Sequence, residues 1–175
     1  MTQRLLGRSV AVLVAEGFED LEFWVTVMRL REEGAEVTIV GEPAGSEFKG
    51  KTGLTAVSDV AAADVDADEL DGIVVPGGWA PDKLRRYGAV TDLVRDMHGQ
   101  GQVVGLICHG GLVGISAGIV EGSKATGSEG IKDDLVNAGA EWVDEPAFRD
   151  GPIVWGRVVA DIPDFCRELV DALAK

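Results

Sequence analysis

The chain has little of what several classes of protein depend on. Its 175 residues include two cysteines, two histidines and one tyrosine, and 16 basic side chains face 30 acidic ones, for a net charge of −14. This excess of negative charge argues against binding to nucleic acid or to an anionic membrane surface, because both need local positive charge. Two cysteines cannot form a disulfide framework, and they suit a reducing compartment.

Long apolar runs are missing as well. No stretch of 18 uninterrupted apolar residues occurs, so the sequence predicts no membrane-spanning helix. Residues 1–8 contain no signal-peptide cleavage pattern, and we therefore expect a cytoplasmic protein. The hydrophobic fraction of 46% is that of a globular protein, and the length predicts one domain over residues 1–175.

Segments with the character of strands and of helices alternate along the chain. Nearly continuous apolar runs predict buried strands at residues 9–15, 35–40, 72–75 and 102–107, with a short strand at 140–143 and hairpins within 41–60 and 148–157. Helical spacing predicts a first helix that follows the acidic stretch 16–22 and ends at Gly34. It predicts further helices at 82–100, 112–120, 131–138 and 163–175. In the first helix, Leu21, Val25 and Met28 predict the apolar face.

This alternation predicts an α/β domain in which a mainly parallel sheet is covered by helices on both faces. In such sheets ligands bind outside the carboxyl ends of the strands, where loops lead into helices. The loops at residues 16–22, 76–82 and 108–111 occupy such positions. Because these loops hold most of the chemically interesting residues, we expect the functional site where they meet.

Cys108 is the leading candidate for a nucleophile. It follows a buried strand, Gly110 and Gly111 come after it, and small neighbours allow a tight turn that exposes a reactive side chain. A thiol at the start of a helix also feels the positive end of the helix dipole, which predicts a stabilised thiolate. The alternative is a structural cysteine that ends a core strand. His109 is adjacent, but a hydrogen bond between neighbouring side chains cannot be assumed.

Several nearby residues allow two interpretations of their role. The acids Glu16, Glu19, Asp20 and Glu22 either stabilise the first turn of a helix or supply a carboxyl beside Cys108, and periodicity does not choose among them. The turn at Pro76, Gly77 and Gly78 either offers N–H groups to an oxyanion or only permits a bend.

Other candidates have simpler explanations. The cysteines and histidines show no metal-ligand spacing, so no metal is expected. His98 is expected on the surface at a helix end and Cys166 in the core.

Taken in order, these segments resemble a known family. The stretches EGFEDLE, RLREEGAEV, DGIVVPGGWAPDKLR, GLICHGG, ISAG and GIKDDLVNAGAEWVDE are similar to the ThiJ/PfpI superfamily, above all to its PfpI branch of intracellular proteases and general stress proteins. The resemblance covers essentially the whole chain. It implies a flavodoxin-like sandwich of the class I glutamine-amidotransferase type, compatible with the class predicted from the residues, and it implies no cofactor.

The resemblance also assigns roles to residues. It makes Cys108 the nucleophile at a strained bend and His109 the histidine that follows it. Glu22 matches a glutamate that hydrogen-bonds the thiol, stays protonated and moves a proton, and Glu19 matches a second acid. Three glycines are assigned to oxyanion or substrate binding: Gly77, Gly78 and Gly110.

An assembly is implied too. Asp82 falls where PfpI-like members carry a glutamate that reaches the histidine of a neighbouring subunit, in dimers or in hexamers built from dimers. The aspartate is one methylene shorter, which bears on the length of that bridge. Gly111 replaces a usual proline and Ser128 a tyrosine of some relatives, and both changes would widen or loosen the pocket.

The favoured hypothesis is a cysteine-dependent stress-protection enzyme of the deglycase or glyoxalase type. Its expected substrates are small reactive carbonyl compounds or their adducts on proteins, attacked by Cys108. One alternative is a cysteine peptidase that uses the same nucleophile. Another is a protein without enzymatic activity, a chaperone or a sensor in which Cys108 is oxidised.

Overall fold

A six-stranded sheet runs through the centre of the protein, in a computed structural model that describes residues 3–175. The first two residues of the predicted domain lie outside the described residues. Within the described part, the strands in chain order are β1 (Ser9–Leu13), β2 (Glu36–Val40), β3 (Glu47–Lys49), β4 (Thr55–Val57), β5 (Gly72–Val75), β6 (Val103–Ile107), β7 (Lys124–Ala125), β8 (Glu141–Trp142), β9 (Ala147–Asp150) and β10 (Ile153–Gly156). The helices are α1 (Asp20–Glu32), α2 (Ala80–Leu84), α3 (Gly88–Gly99), α4 (Gly111–Ala117), α5 (Lys132–Asn137) and α6 (Ile162–Leu173).

The sheet is parallel apart from one edge. Its order is β2-β1-β5-β6-β10-β9, and only the pairing of β9 with β10 is antiparallel. The strands β1, β5, β6 and β10 lie between neighbours on both sides, and their side chains are almost all buried. The mainly parallel flavodoxin-like sheet predicted from the apolar runs is confirmed.

Helices cover both faces of this sheet. Neighbouring residues of a strand point to opposite faces of the sheet. On β10 the neighbours Trp155 and Gly156 therefore contact different helices. A Cβ on Gly156 would lie 2.7 Å from Phe165 of α6, whereas the ring of Trp155 packs against Gly111 of α4. Thr26 of α1 lies 3.8 Å from the sulfur of Cys166 on α6, so α1 shares the face of α6, and α3 packs beside α4 on the other.

The predicted apolar face of α1 is wrong. Leu21, Val25 and Met28 are 49%, 40% and 62% exposed, and the buried face carries Phe23 and Val27 together with polar side chains. The reason is that α1 buries Asp20 and Glu22 at the candidate site and Thr26 against Cys166 of α6. Burial of these polar groups removes the hydrophobic contrast from which the face was predicted.

The helix predicted at 82–100 is also wrong, since the chain forms two helices there. The segment breaks at Tyr87, whose extended backbone (φ −94°, ψ 116°) precedes α3. Leu84 of α2 and Val90 and Met97 of α3 are all buried. Both helices therefore present apolar side chains to one core, and for this reason the helical spacing continues through the break.

The excursion predicted within 41–60 is a hairpin of β3 and β4, and its tip is fastened to the start of α1. The Asp20 carboxylate accepts hydrogen bonds from the N–H groups of Thr52 (2.9 Å) and Leu54 (2.8 Å). Burial opposes the charge of Asp20, but these hydrogen bonds outweigh it and lower the pKa of the carboxyl below 3.8. Asp20 therefore holds the hairpin tip against the site as an anion.

The other predicted elements are confirmed in type, with shifted ends. The run at 9–15 forms a strand only to Leu13, the strand at 140–143 is reduced to two residues, and the hairpin at 148–157 forms from β9 and β10. No helix within residues 3–175 is long and apolar enough to cross a membrane.

We expect Asp20→Asn to lower the free energy of unfolding at pH 7 by roughly 1–3 kcal/mol, because the amide replaces one accepting oxygen with a donor. The lowered pKa stabilises the fold above pH 3.8, and this contribution is lost as the pH falls through the folded-state pKa. Urea denaturation at pH 7 and at pH 3 measures the difference. Asp96→Asn on the exposed face of α3 is the control, and an equal loss in both variants would contradict the anchoring role.

Candidate active site

Cys108 lies at a sharp bend between β6, which ends at Ile107, and α4, which begins at Gly111. Its φ of 59° is in the left-handed region, where a residue with a side chain is strained. Gly110 allows this bend because a Cβ there would lie 2.3 Å from the carbonyl oxygen of Val75. The bend predicted from the surrounding glycines is confirmed, and the structure gives Gly110 a packing role, while its part in substrate binding stays a prediction.

The two other predicted loops meet above this bend. Glu19 N–H donates to the Gly77 carbonyl at 3.1 Å, and Trp79 N–H donates to the Gly17 carbonyl at 2.8 Å. Gly78 has a φ of 79°, and a Cβ on it would lie 2.5 Å from the nitrogen of Glu19. The close crossing of these loops therefore requires glycine at this position.

Glu22 is the acid that reaches Cys108. Its side chain is fully buried on the inner face of α1, and Oε2 accepts a hydrogen bond from Gly77 N–H at 2.7 Å. The other oxygen, Oε1, is buried without a conventional hydrogen-bond partner among residues 3–175. Glu22 and Cys108 lie on either side of Gly77, where a Cβ would come within 2.5 Å of Oε2 and 2.7 Å of the Cys108 Cβ. Glu22 is therefore placed to exchange a proton with the sulfur.

Burial raises the pKa of Glu22 to about 7. The Gly77 N–H opposes this shift by stabilising the carboxylate, and the negative charge of Glu19 adds to it. The thiol and the ammonium of Lys51 lower the pKa by smaller amounts. Near neutral pH the carboxyl is consequently present in both protonation states, which suits a group that transfers protons.

Burial also raises the pKa of the Cys108 thiol, to about 12, and the charge and hydrogen bonding of Glu22 add to the increase. The N–H groups of His109 and Gly78 point to the sulfur and act in the opposite direction. The prediction of a stabilised thiolate is therefore wrong. When Glu22 is ionised, a thiolate would place a second negative charge in the interior beside the first. Near neutral pH the pair therefore carries at most one negative charge, and that charge lies on Glu22.

His109 lies closer to the sulfur than adjacency in sequence suggests. Its Nδ1 is 3.3 Å from the Cys108 Sγ, a contact that the strained bend allows and a regular helix or strand would not. Burial lowers the pKa of His109, the ammonium of Lys51 lowers it further, and Asp134 opposes both. The imidazole is therefore mainly neutral at pH 7.

Three other predicted residues have different contacts. Glu19 is the N-cap of α1, and its carboxylate accepts the N–H groups of Leu21 and Glu22. The Gly77 N–H is occupied by Glu22, so it is not free to face an oxyanion. Asp82 is exposed and pairs with Arg86, and its reach to a histidine of another subunit stays a prediction.

The remaining predicted positions lie around this centre or away from it. Ser128 N–H donates to the Cys108 carbonyl at 3.2 Å, and Gly111 packs against the core. Cys166 is buried in α6, and His98 lies in the last turn of α3, as predicted.

Two residues at the mouth of the site, where the hairpin tip meets the 76–82 loop, were missed from the sequence. Lys51, at the hairpin tip, acts electrostatically on both Glu22 and His109. Trp79 directly follows Gly78 and is 62% exposed. No pattern in the sequence links residues 51 and 79, since the packing of the hairpin on the 16–19 loop brings them together.

Comparisons with known proteins show which family the chain resembles. A family model described as the DJ-1/PfpI family matches residues 8–172. Deglycase PH1704 of Pyrococcus horikoshii is 42% identical over 164 residues, which are 94% of this chain and 98% of the relative. Deglycase PfpI of Pyrococcus furiosus is 39% identical over the same shares of the two chains.

Solved structures show the same fold. A two-domain protein of Anabaena variabilis with DJ-1/ThiJ/PfpI-like and ferritin-like domains is 34% identical with a TM-score of 0.92, over 94% of this chain and 47% of that chain. DJ-1beta of Drosophila melanogaster is 27% identical with a TM-score of 0.89, over 99% of this chain and 91% of that chain.

The raised pKa of Glu22 predicts that this residue destabilises the fold at neutral pH. The folded state holds the proton up to about pH 7, and the unfolded chain releases it near 4.5, so stability is lost as the pH rises between these values. Glu22→Gln should therefore unfold with a free energy higher by roughly 1–3 kcal/mol at pH 8 and little changed at pH 4. Urea denaturation at both pH values measures this.

Glu19→Gln serves as the matched control. It removes the same charge three residues earlier, where the carboxylate caps the N-terminus of α1, and because a neutral amide caps more weakly we expect a loss of about 1 kcal/mol at pH 8 instead of a gain. A Glu22→Gln variant no more stable than the wild type at pH 8 would show that the carboxyl is not held in an unfavourable environment.

Proposed function

The chain belongs to the DJ-1/PfpI family, and we propose that it is a deglycase-type hydrolase that attacks reactive carbonyl compounds through Cys108. The observation that carries the proposal is the fully buried Glu22 carboxyl facing a strained, partly exposed thiol. Relatives named deglycase at 39% and 42% identity over 94% of the chain support it.

The reaction starts with transfer of the thiol proton. Glu22 in its ionised form accepts the proton of Cys108 as the sulfur attacks the carbonyl carbon, and the negative charge passes from the carboxylate to the new alkoxide. The raised pKa of the thiol keeps it protonated until a substrate arrives. Protonated Glu22 then returns the proton to the new alkoxide, which completes a thiohemiacetal.

The developing oxyanion needs donors near the sulfur. The N–H groups of His109 and Gly78 point to this region, whereas that of Gly77 is bound to Glu22. We therefore assign the oxyanion to His109 and Gly78 in place of Gly77.

With an α-oxoaldehyde, the thiohemiacetal carbon loses its proton and the neighbouring carbonyl carbon gains one. This internal redox step leaves a thioester of a hydroxy acid on Cys108. Water then cleaves the thioester, which releases the hydroxy acid and restores the thiol, so methylglyoxal and water give lactic acid. Glu22 is the group placed to carry the protons between these positions.

A second candidate function is supported by one specific contact. The Nδ1 of His109 lies 3.3 Å from the Cys108 sulfur, the distance expected of a cysteine–histidine pair in a peptidase. The burial of the sulfur beside a carboxyl favours small electrophiles over a polypeptide, and the peptidase therefore ranks second.

We expect Cys108→Ala to abolish lactate formation from methylglyoxal and Glu22→Gln to slow it by roughly a hundredfold, because each removes a reacting group. Cys166→Ala, which removes the buried cysteine of α6, should retain turnover. An enzymatic assay for lactate follows the product, and the same variants are tested on a fluorogenic peptide. Lactate formed equally by wild type and Cys108→Ala would remove Cys108 from the mechanism, whereas peptide turnover without lactate would favour the peptidase.

A further inference from the structure

Lys51 is held next to the catalytic loops by its backbone. The N–H of Lys51 donates to the Phe18 carbonyl at 2.9 Å, and Phe18 forms an antiparallel bridge with Gly78. Gly78 in turn points its N–H to the sulfur of Cys108. The hairpin tip is further fixed by Asp20, which accepts the N–H groups of the residues that follow Lys51. The position of Lys51 is therefore set by the fold.

The side chain of Lys51 extends over the ring of Trp79. Its ammonium lies 5.4 Å from the ring centroid of Trp79, the residue after Gly78. The ring rests on Gly17, where a Cβ would lie 2.8 Å from a ring carbon. An ammonium over an indole face is stabilised by the ring while its outer side stays open to solvent or ligand.

The charge of Lys51 has no partner carboxylate. Its ammonium forms no ion pair within residues 3–175, whereas two cations in and just after the adjacent α2 are engaged: Lys83 donates to the Glu16 carbonyl, and Arg86 pairs with Asp82. The other charged groups that act on Glu22 and His109 are the acids Glu19 and Asp134. In a chain with a net charge of −14, this cation is what admits an anionic group.

We propose that Lys51 is a specificity-determining residue that binds a carboxylate of the substrate, with Trp79 as the apolar wall beside it. The substrate class would be aldehydes and α-oxoaldehydes that carry a carboxylate in addition to the reacting carbonyl. This inference rests on the proposed function of Cys108 as the nucleophile. Lys51 takes no part in bond formation, and its contribution is to hold the anionic end while the sulfur attacks.

Two alkylating reagents test the carboxylate-binding role of Lys51 without relying on the enzymatic reaction. Iodoacetate and iodoacetamide have the same size and leaving group and differ in charge, and both alkylate the sulfur of Cys108. We compare the ratio of their rate constants in the wild type and in Lys51→Met, using peptide mass mapping to separate Cys108 from Cys166. Any change in the pKa of the thiol affects both reagents equally and cancels in the ratio.

We expect Lys51→Met to lower the iodoacetate-to-iodoacetamide ratio about fivefold at low salt, the effect of one unit charge a few ångströms away in a solvated site. Lys51→Arg should keep the ratio, and added salt should lower it in the wild type. Lys132→Met is the matched control, because it removes the same charge from the other lysine that lies over an indole, that of Trp142. This control should leave the ratio unchanged.

The outcomes separate the two proposals. An equal ratio in wild type and Lys51→Met, or an equal fall in Lys132→Met, would overturn the assignment of Lys51 and leave the function of Cys108 standing. Failure of the wild type to convert methylglyoxal, a neutral substrate, would overturn the proposed function, and a lowered ratio in Lys51→Met would still support an anion site. If neither reagent alkylates Cys108, the mouth is closed and both proposals fail.

Discussion

The buried carboxyl of Glu22 is the group around which the rest of the site is arranged. A carboxyl placed in the interior with a single N–H donor is costly to ionise, and the fold offsets that cost only in part through Gly77. This placement needs α1 to bury its polar side, which the cap at Glu19 and the carboxylate of Asp20 make possible. The result is a carboxyl beside the sulfur that can accept or give up a proton at neutral pH.

Close backbone approach gives this pair its geometry. Cys108 is strained because it is held between a buried strand and a glycine that touches the Val75 carbonyl, and any side chain at Gly77 would collide with both Glu22 and Cys108. The strained bend also turns the His109 ring to the sulfur. Rigidity at these glycines therefore fixes sulfur, carboxyl and imidazole together, whereas the hairpin that carries Lys51 is added from outside and sets what reaches them.

The strands and the bend were predictable from the sequence because they are local patterns: apolar runs buried on both faces and a cysteine among glycines. The buried face of α1 was not, because burial of Glu22 for its chemistry reverses the usual hydrophobic contrast. The spacing of the acids likewise does not show whether Glu19 or Glu22 reaches Cys108, because that depends on which of the two caps the helix. Lys51 carries no local signal, since its partner Trp79 lies in a loop distant in sequence.

The protonation state of Glu22 is the most direct test of the account. Infrared difference spectra between wild type and Glu22→Gln isolate the carboxylic acid C=O stretch of this residue, and titration from pH 4 to pH 9 gives its pKa. We expect a band that disappears with a midpoint of about 7. A midpoint near 4.5, the ordinary value for glutamate, would contradict it, because the environment of Glu22 would then not oppose ionisation and its carboxylate would be a weaker base towards the thiol proton.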